Sequence, residues 1–247
     1  LEAGLDVKSM AETSTKVFIL EVMGRHAGWI AAASCLAATK PGDPPHIILL
    51  PEVPFEKTKF ISQVKQTIKK HGYCVIVASE GTQTKNGKFL ADSGLTDAFG
   101  HKQLGGVAPV LAGMISKIGL KNHWAVADYL QRSARHIASK TDLDQAYAVG
   151  EHAVKLAIAG KTAVMPIIKR TNDSPYKWKI ATAPLKNVAN IEKTMPKKFI
   201  SKNGFEITQA GKTYLSPLIK GEAPIKYVNG LPDIAELKKI KVKKKLS

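Results

Sequence analysis

The residues best equipped for chemistry lie in three short segments. The first is Met23-Gly24-Arg25-His26-Ala27-Gly28, a glycine-bracketed turn carrying a guanidinium and an imidazole. A guanidinium can fork onto two phosphate oxygens or stabilise charge that develops during a transfer. The second is Ser79-Glu80-Gly81, whose carboxylate can accept hydrogen bonds from sugar hydroxyls or pair with a lysine. The third, Tyr129-Leu130-Gln131-Arg132, supplies a phenol and another guanidinium. The first turn suits an anionic ligand, most often a phosphate.

The flanking sequence says what positions them. Lys16 to Val22 is a branched, apolar run that reads as a buried strand, and Ala27 to Thr39 reads as a helix packed on a sheet. A strand feeding a helix in this way offers backbone N–H groups and a positive helix end to an anion. Lys40-Pro41-Gly42-Asp43-Pro44-Pro45 ends the helix, and His46 to Leu50 reads as a second buried strand. Phe60, Ile61, Val64 and Ile68 recur at helical spacing within Lys57 to His71, with Gly72 as the stop, and Tyr73 to Ala78 forms a third apolar strand. Continuous rather than alternating apolar strands, separated by helices, predict a parallel sheet covered on both faces. Ligands bind such sheets beyond the carboxyl ends of the strands, where Arg25 and Glu80 both fall.

Farther on, Leu104 to Gly119 reads as a helix, Lys121 to Gln131 as a strand, and the segment after Thr141 as a long amphipathic helix with Thr141 and Asp144 as a near capping box. Lys161 to Lys169 is another apolar strand. Past Asn172 the pattern weakens, with a strand expected over Trp178 to Ala183 and a short helix over Val188 to Lys193. The predicted fold class is α/β: a Rossmann-like three-layer sandwich with a mostly parallel sheet, plus a less regular C-terminal extension. Residues 1–15 read as a linker or helix end, 16–170 as the ligand-binding α/β domain, and 171–247 as the extension with its basic tail.

Composition narrows the class. The chain has 247 residues, 44% hydrophobic and 23% charged, as in a folded soluble protein. No apolar run reaches the length of a membrane span, and no secretory signal opens the chain. The cysteines Cys35 and Cys74 both lie in apolar segments, which reads as two buried thiols in a reducing cytoplasm, and no His/Cys spacing suits a metal. The net charge of +17 fits anionic substrates and a solvated surface, or a nucleic-acid patch. Six lysines between Lys238 and Lys245 have no aromatic residue among them for base stacking, which favours a solvated tail and no nucleic-acid partner. Gly81 to Gly87-Lys88 is not a P-loop: five residues separate the glycines, and Phe89 stands where Ser or Thr would meet magnesium.

The stretch Glu-Val-Met-Gly-Arg-His-Ala-Gly-Trp-Ile-Ala from Glu21 resembles the sugar-phosphate loop of the phosphofructokinase family. It is most similar to the loop of the pyrophosphate-dependent members, and the likeness runs from about residue 14 to about residue 170. The resemblance implies that Met23, Gly24 and Arg25 bind the sugar phosphate, with Arg25 also facing the transferred phosphoryl group as the catalytic charge. It implies that Glu80 binds the sugar. The Tyr-x-x-Arg pattern of Tyr129, Leu130, Gln131 and Arg132 resembles the pyrophosphate-dependent enzymes, with Arg132 on the 6-phosphate and Tyr129 donating its hydroxyl to it. Lys16 stands where relatives often place an arginine that reaches into a neighbouring subunit's site. Lys121 and His123 lie near a second such position without supplying an arginine.

Two family motifs do not occur in the sequence: the Gly-Gly-Asp loop for the phosphoryl donor, and the Thr-x-Asp-Asn-Asp segment that carries the general base. The resemblance therefore implies an acceptor-binding portion of a 6-phosphofructokinase, preceded by a donor domain upstream of residue 1. Its partners would be fructose 6-phosphate and pyrophosphate, with Mg2+ arriving on pyrophosphate and held mainly by the missing half, and no metal ligand in this chain. A cytoplasmic homodimer or homotetramer with no membrane partner is expected. The alternatives are an ATP-dependent enzyme of the same fold and a non-catalytic sugar-phosphate-binding subunit.

Overall fold

The computed structural model describes residues 1–96, 102–104 and 106–241. Helix α1 (Glu2–Met10) opens the chain where sequence suggested a linker or helix end, and β1 (Val17–Val22) follows. Helix α2 covers only Trp29–Ala33 before tightening into a 3-10 turn over Ser34–Ala37, so the expected helix from Ala27 to Thr39 is shorter than its composition suggests. The chain then forms β2 (Ile47–Leu49), α3 (Lys57–His71) and β3 (Cys74–Ser79). Helix α3 matches its sequence pattern and ends at Gly72 with φ of 81°, a left-handed stop that glycine adopts without steric cost.

A small antiparallel pair, β4 (Asp92–Thr96) and β5 (Lys102–Leu104), precedes α4 (Val107–Ser116) and β6 (Asn122–Val126). The strand expected to run to Gln131 thus stops at Val126, and Asp128–Gln131 forms a 3-10 turn. Helix α5 (Lys140–Ile158) is capped by Ser139, whose hydroxyl accepts from the N–H of Asp142 at 3.1 Å, rather than by the Thr141 pair. Strands β7 (Val164–Asp173) and β8 (Tyr176–Pro184) form an antiparallel ribbon, which spans the boundary expected at residue 170. The helix expected over Val188 to Lys193 does not form: the chain makes a 3-10 turn at Leu185–Asn187 and then runs irregularly through residues 191–196. Helix α6 (Gln209–Leu215) and the short pair β9 (Tyr227–Val228) and β10 (Leu231–Pro232) complete the described chain.

The central sheet has the order β2-β3-β1-β6 with every pair parallel. One face carries Val17, Ile19, Ile47, Leu49, Cys74 and Ile76 against Phe60 and Val64 of α3 and Leu111 and Ile115 of α4. The other carries Val22, Ile48 and Val77 against Ala31 and Ala32 of α2 and Leu215 of α6. Helix α1 extends that second layer, with Val7 packed on Tyr73 and Val75. Three layers result because β1, β2 and β3 are apolar on both sides and need cover on both, whereas the edge strand β6 leaves Trp124 and Val126 exposed. β1 lies between β3 and β6, so the ends of these three strands open onto the same edge of the sheet.

Candidate functional site

Each of the three segments follows the carboxyl end of a neighbouring strand, and hydrogen bonds join them. The N–H of Met23 donates to Gln131 Oε1 at 3.2 Å, linking the β1 and β6 ends. The N–H of Gly24 donates to Glu80 Oε1 at 3.2 Å, linking the β1 and β3 ends. Ser79 Oγ donates to the Gly24 carbonyl, and the N–H of Gly81 donates to the same oxygen at 3.2 Å. The loops pack so closely that a Cβ on Gly81 would lie 1.7 Å from the Arg25 carbonyl oxygen. No side chain larger than hydrogen fits there without moving the Arg25 loop.

The third segment leaves the sheet through a constrained turn. Ala127 donates its N–H to the Glu21 carbonyl at 3.0 Å, and Asp128 adopts φ of 40°, a left-handed conformation uncommon outside glycine. The turn projects Tyr129 into solvent at 68% exposure, and the Arg132 guanidinium sits 4.5 Å from the centre of its ring. That stacking holds a cation beside a phenol at the rim of the site. Leu130 is 75% exposed and makes no such contact with the other candidates. A groove of about 1020 Å³ begins at Gln131 and Arg132 and passes between Trp29 and Arg135.

Behind the loops lies Glu21, a carboxylate only 4% exposed, next to last in β1. It accepts the N–H of Ala108 at 2.7 Å and so supplies the N-terminus of α4 with an acceptor that its glycine cap lacks. Burial pushes its carboxyl above the usual range; the Ala108 N–H opposes this, while Glu80 and then Asp128 add to the rise. At the start of α2, where the sequence suggested an anion site, one N–H is already used. Gly28 N–H is bonded to the Glu52 carboxylate, at 3.0 and 3.2 Å.

The profile described as Phosphofructokinase matches residues 1–157. The chain belongs to the phosphofructokinase family. A pyrophosphate–fructose 6-phosphate 1-phosphotransferase of Halomonas elongata is 61% identical over 247 residues, covering 100% of this chain and 59% of the relative. A pyrophosphate-dependent phosphofructokinase structure from Marinobacter aquaeolei superposes with a TM-score of 0.85 at 55% identity, and one from Nitrosospira multiformis with 0.86 at 53%. Each alignment covers 100% of this chain and 58% of the solved one. The chain thus spans about three fifths of the length of the relatives it matches.

Within this phosphofructokinase chain, Met23, Gly24, Arg25, Glu80, Gln131 and Arg132 converge, while Lys16 stands apart. It precedes β1, at the end of the strand remote from the site, and its ammonium group donates to the Ala11 carbonyl. Sequence reasoning missed Glu21, Glu52 and Asp128. Glu21 was detectable as a carboxylate inside an otherwise apolar parallel strand, which demands a buried donor. Glu52 and Asp128 act through loop geometry that no local pattern encodes.

Proposed function

We propose that the chain is the acceptor-binding portion of a phosphotransferase that moves a phosphoryl group from pyrophosphate to the 1-hydroxyl of fructose 6-phosphate. The observation that carries the proposal is the pair of bonds, Gly24 to Glu80 and Met23 to Gln131, that joins the three segments carrying Arg25, Glu80 and Arg132. In this arrangement Arg132 and the Tyr129 hydroxyl take the 6-phosphate, Glu80 accepts a sugar hydroxyl, and Arg25 neutralises charge on the phosphoryl group in flight. The names of relatives at 61% identity and of the solved structures support pyrophosphate as donor.

Mg2+ accompanies such donors by resemblance. Among the described residues no group of three or more His, Cys, Asp or Glu side chains is placed to hold a metal. No step is assigned to a metal on this chain. The donor loop and general base belong to motifs that the sequence does not contain.

Self-association as a homodimer or homotetramer belongs to the same proposal. Helix α5 leaves Tyr147, Val154 and Ile158 exposed, an apolar face suited to cover by more protein. Cys35 and Cys74 are free and buried, which suits a reducing cytoplasm. No helix among the described residues is long and apolar enough to cross a membrane.

The deciding experiment assays the full-length gene product with fructose 6-phosphate and either pyrophosphate or ATP, Mg2+ being supplied. Turnover with pyrophosphate, and none from the 247-residue chain alone, is expected. Turnover with ATP only would replace the donor, and sugar-phosphate binding without any turnover would make the protein a binding subunit.

A further inference from the structure

Glu52 lies just past β2, outside the three segments that form the site, yet one of its oxygens holds two distant parts of the chain. Oε1 accepts the N–H of Gly28 at 3.0 Å and the N–H of Met195 at 2.9 Å. Gly28 closes the Arg25 loop, and Met195 belongs to the irregular segment 191–196 of the C-terminal extension. Two further contacts bind the same pair of segments: His26 Nδ1 meets the Glu192 carboxylate, and Trp29 Nε1 donates to the Lys193 carbonyl at 2.6 Å. The segment has no helix or strand of its own, and its side-chain anchor is Met195, buried at 3% exposure. Its path is therefore set by groups on the Arg25 loop and by Glu52.

We infer that Glu52 is a positioning residue that latches segment 192–195 across the Arg25 loop, so that the two segments order and loosen together. Arg25 is three residues from Gly28, and Gly28 gains its fixed place from the same carboxylate oxygen that fixes Met195. Oε2 also accepts the Gly28 N–H, at 3.2 Å, so losing the whole carboxylate is what frees both N–H groups at once. A neutral amide at position 52 keeps a carbonyl oxygen for both donors, so the latch depends on an acceptor and not on charge. The consequence for fructose 6-phosphate rests on the function proposed above: an Arg25 loop that is not held in place meets the sugar phosphate with lower affinity.

Hydrogen exchange on the protein, with and without fructose 6-phosphate, tests this. In Glu52→Ala, amide exchange is expected to rise at least about tenfold in residues 23–28 and in 192–196 alike, the scale of lost bonds to a charged acceptor. Strand β3 should be unchanged, and Glu52→Gln should restore most of the protection in both segments. Faster exchange in 192–196 with residues 23–28 unaffected would overturn the inference, as would unchanged exchange in both. If Glu52→Ala does not fold, Glu52→Gln decides: protection lost in both segments would show that charge, not the acceptor, holds them, against the inference. Should fructose 6-phosphate leave the unsubstituted protein's exchange untouched, the sugar-phosphate function fails, while the variants still judge the latch.

Discussion

The N–H of Gly24 donates to the Glu80 carboxylate across the gap between the β1 and β3 ends. The carboxylate therefore does two jobs if it also accepts a sugar hydroxyl: it fixes the loop that carries Arg25 and it faces the ligand. Glu80→Gln keeps an oxygen for Gly24 and loses the charge that strengthens a hydroxyl bond, whereas Glu80→Ala loses both. The expected rise in the fructose 6-phosphate KM is about tenfold for Gln and about a hundredfold for Ala, following the strength of bonds to charged groups. Steady-state kinetics on the full-length protein reads the difference. Equal effects would mean that Glu80 acts only on the sugar and not on the loop.

Gly81 tests the same contact from the other side. Its missing Cβ leaves room for the Arg25 carbonyl, which would otherwise lie 1.7 Å away. Backbone atoms offer no rotamer to escape into, so Gly81→Ala must displace one loop or the other. A destabilisation of about 1–3 kcal/mol is expected, typical of overpacking. Thermal unfolding measures that cost, and titration with fructose 6-phosphate should show weakened binding. Full affinity in a destabilised variant would show that the Arg25 loop recovers its place when the ligand binds.

Much of this was legible in the residues, for physical reasons that differ by element. Continuous apolar runs at Val17–Val22 and Cys74–Ser79 are the mark of strands buried on both faces, and the lysine-lined stripe of α3 ends at a glycine. Arg25 and Glu80 were legible because each follows such a strand. Tyr129 to Gln131 were expected in a strand and lie in a 3-10 turn. Asp128 turns the chain there by adopting a positive φ, which a single residue's identity does not announce. The use of the Gly28 N–H at the α2 start was not legible, because its partner Glu52 lies 24 residues away. The extension stayed opaque because its segment 191–196 is held by contacts to His26, Trp29 and Glu52 and has no period of its own.

Arg25 separates binding from rate. Arg132 is stacked on Tyr129, while Arg25 lies three residues past the end of β1, next to Gly24, whose N–H is bonded to Glu80. Arg25→Ala in the full-length protein is expected to lower kcat by about a hundredfold and to raise the fructose 6-phosphate KM, as for a group that meets charge developing in the transition state. Arg132→Ala is expected to raise KM with a smaller effect on kcat. An Arg25→Ala kcat equal to that of the unsubstituted protein would confine Arg25 to binding.

His46 sets an acid limit on the fold. Its Nδ1 accepts the Val75 N–H at 3.0 Å, and its Nε2 faces the Gly42 carbonyl at 3.2 Å, an arrangement that requires the neutral ring. Burial, and then the neighbouring His71, push its pKa down from 6.5 to about 4. The unfolded chain thus binds a proton at a higher pH than the folded one does. Between those values the unfolded state holds more protons, so stability rises with pH. The contribution is complete above about pH 6.5 and is lost progressively as the pH falls towards 4, by about 2–3 kcal/mol in all. His46→Gln offers Val75 an acceptor that does not titrate in this range. Denaturant unfolding at a series of pH values should show a shallower acid slope for the variant; parallel curves for the two proteins would assign the acid sensitivity to other groups.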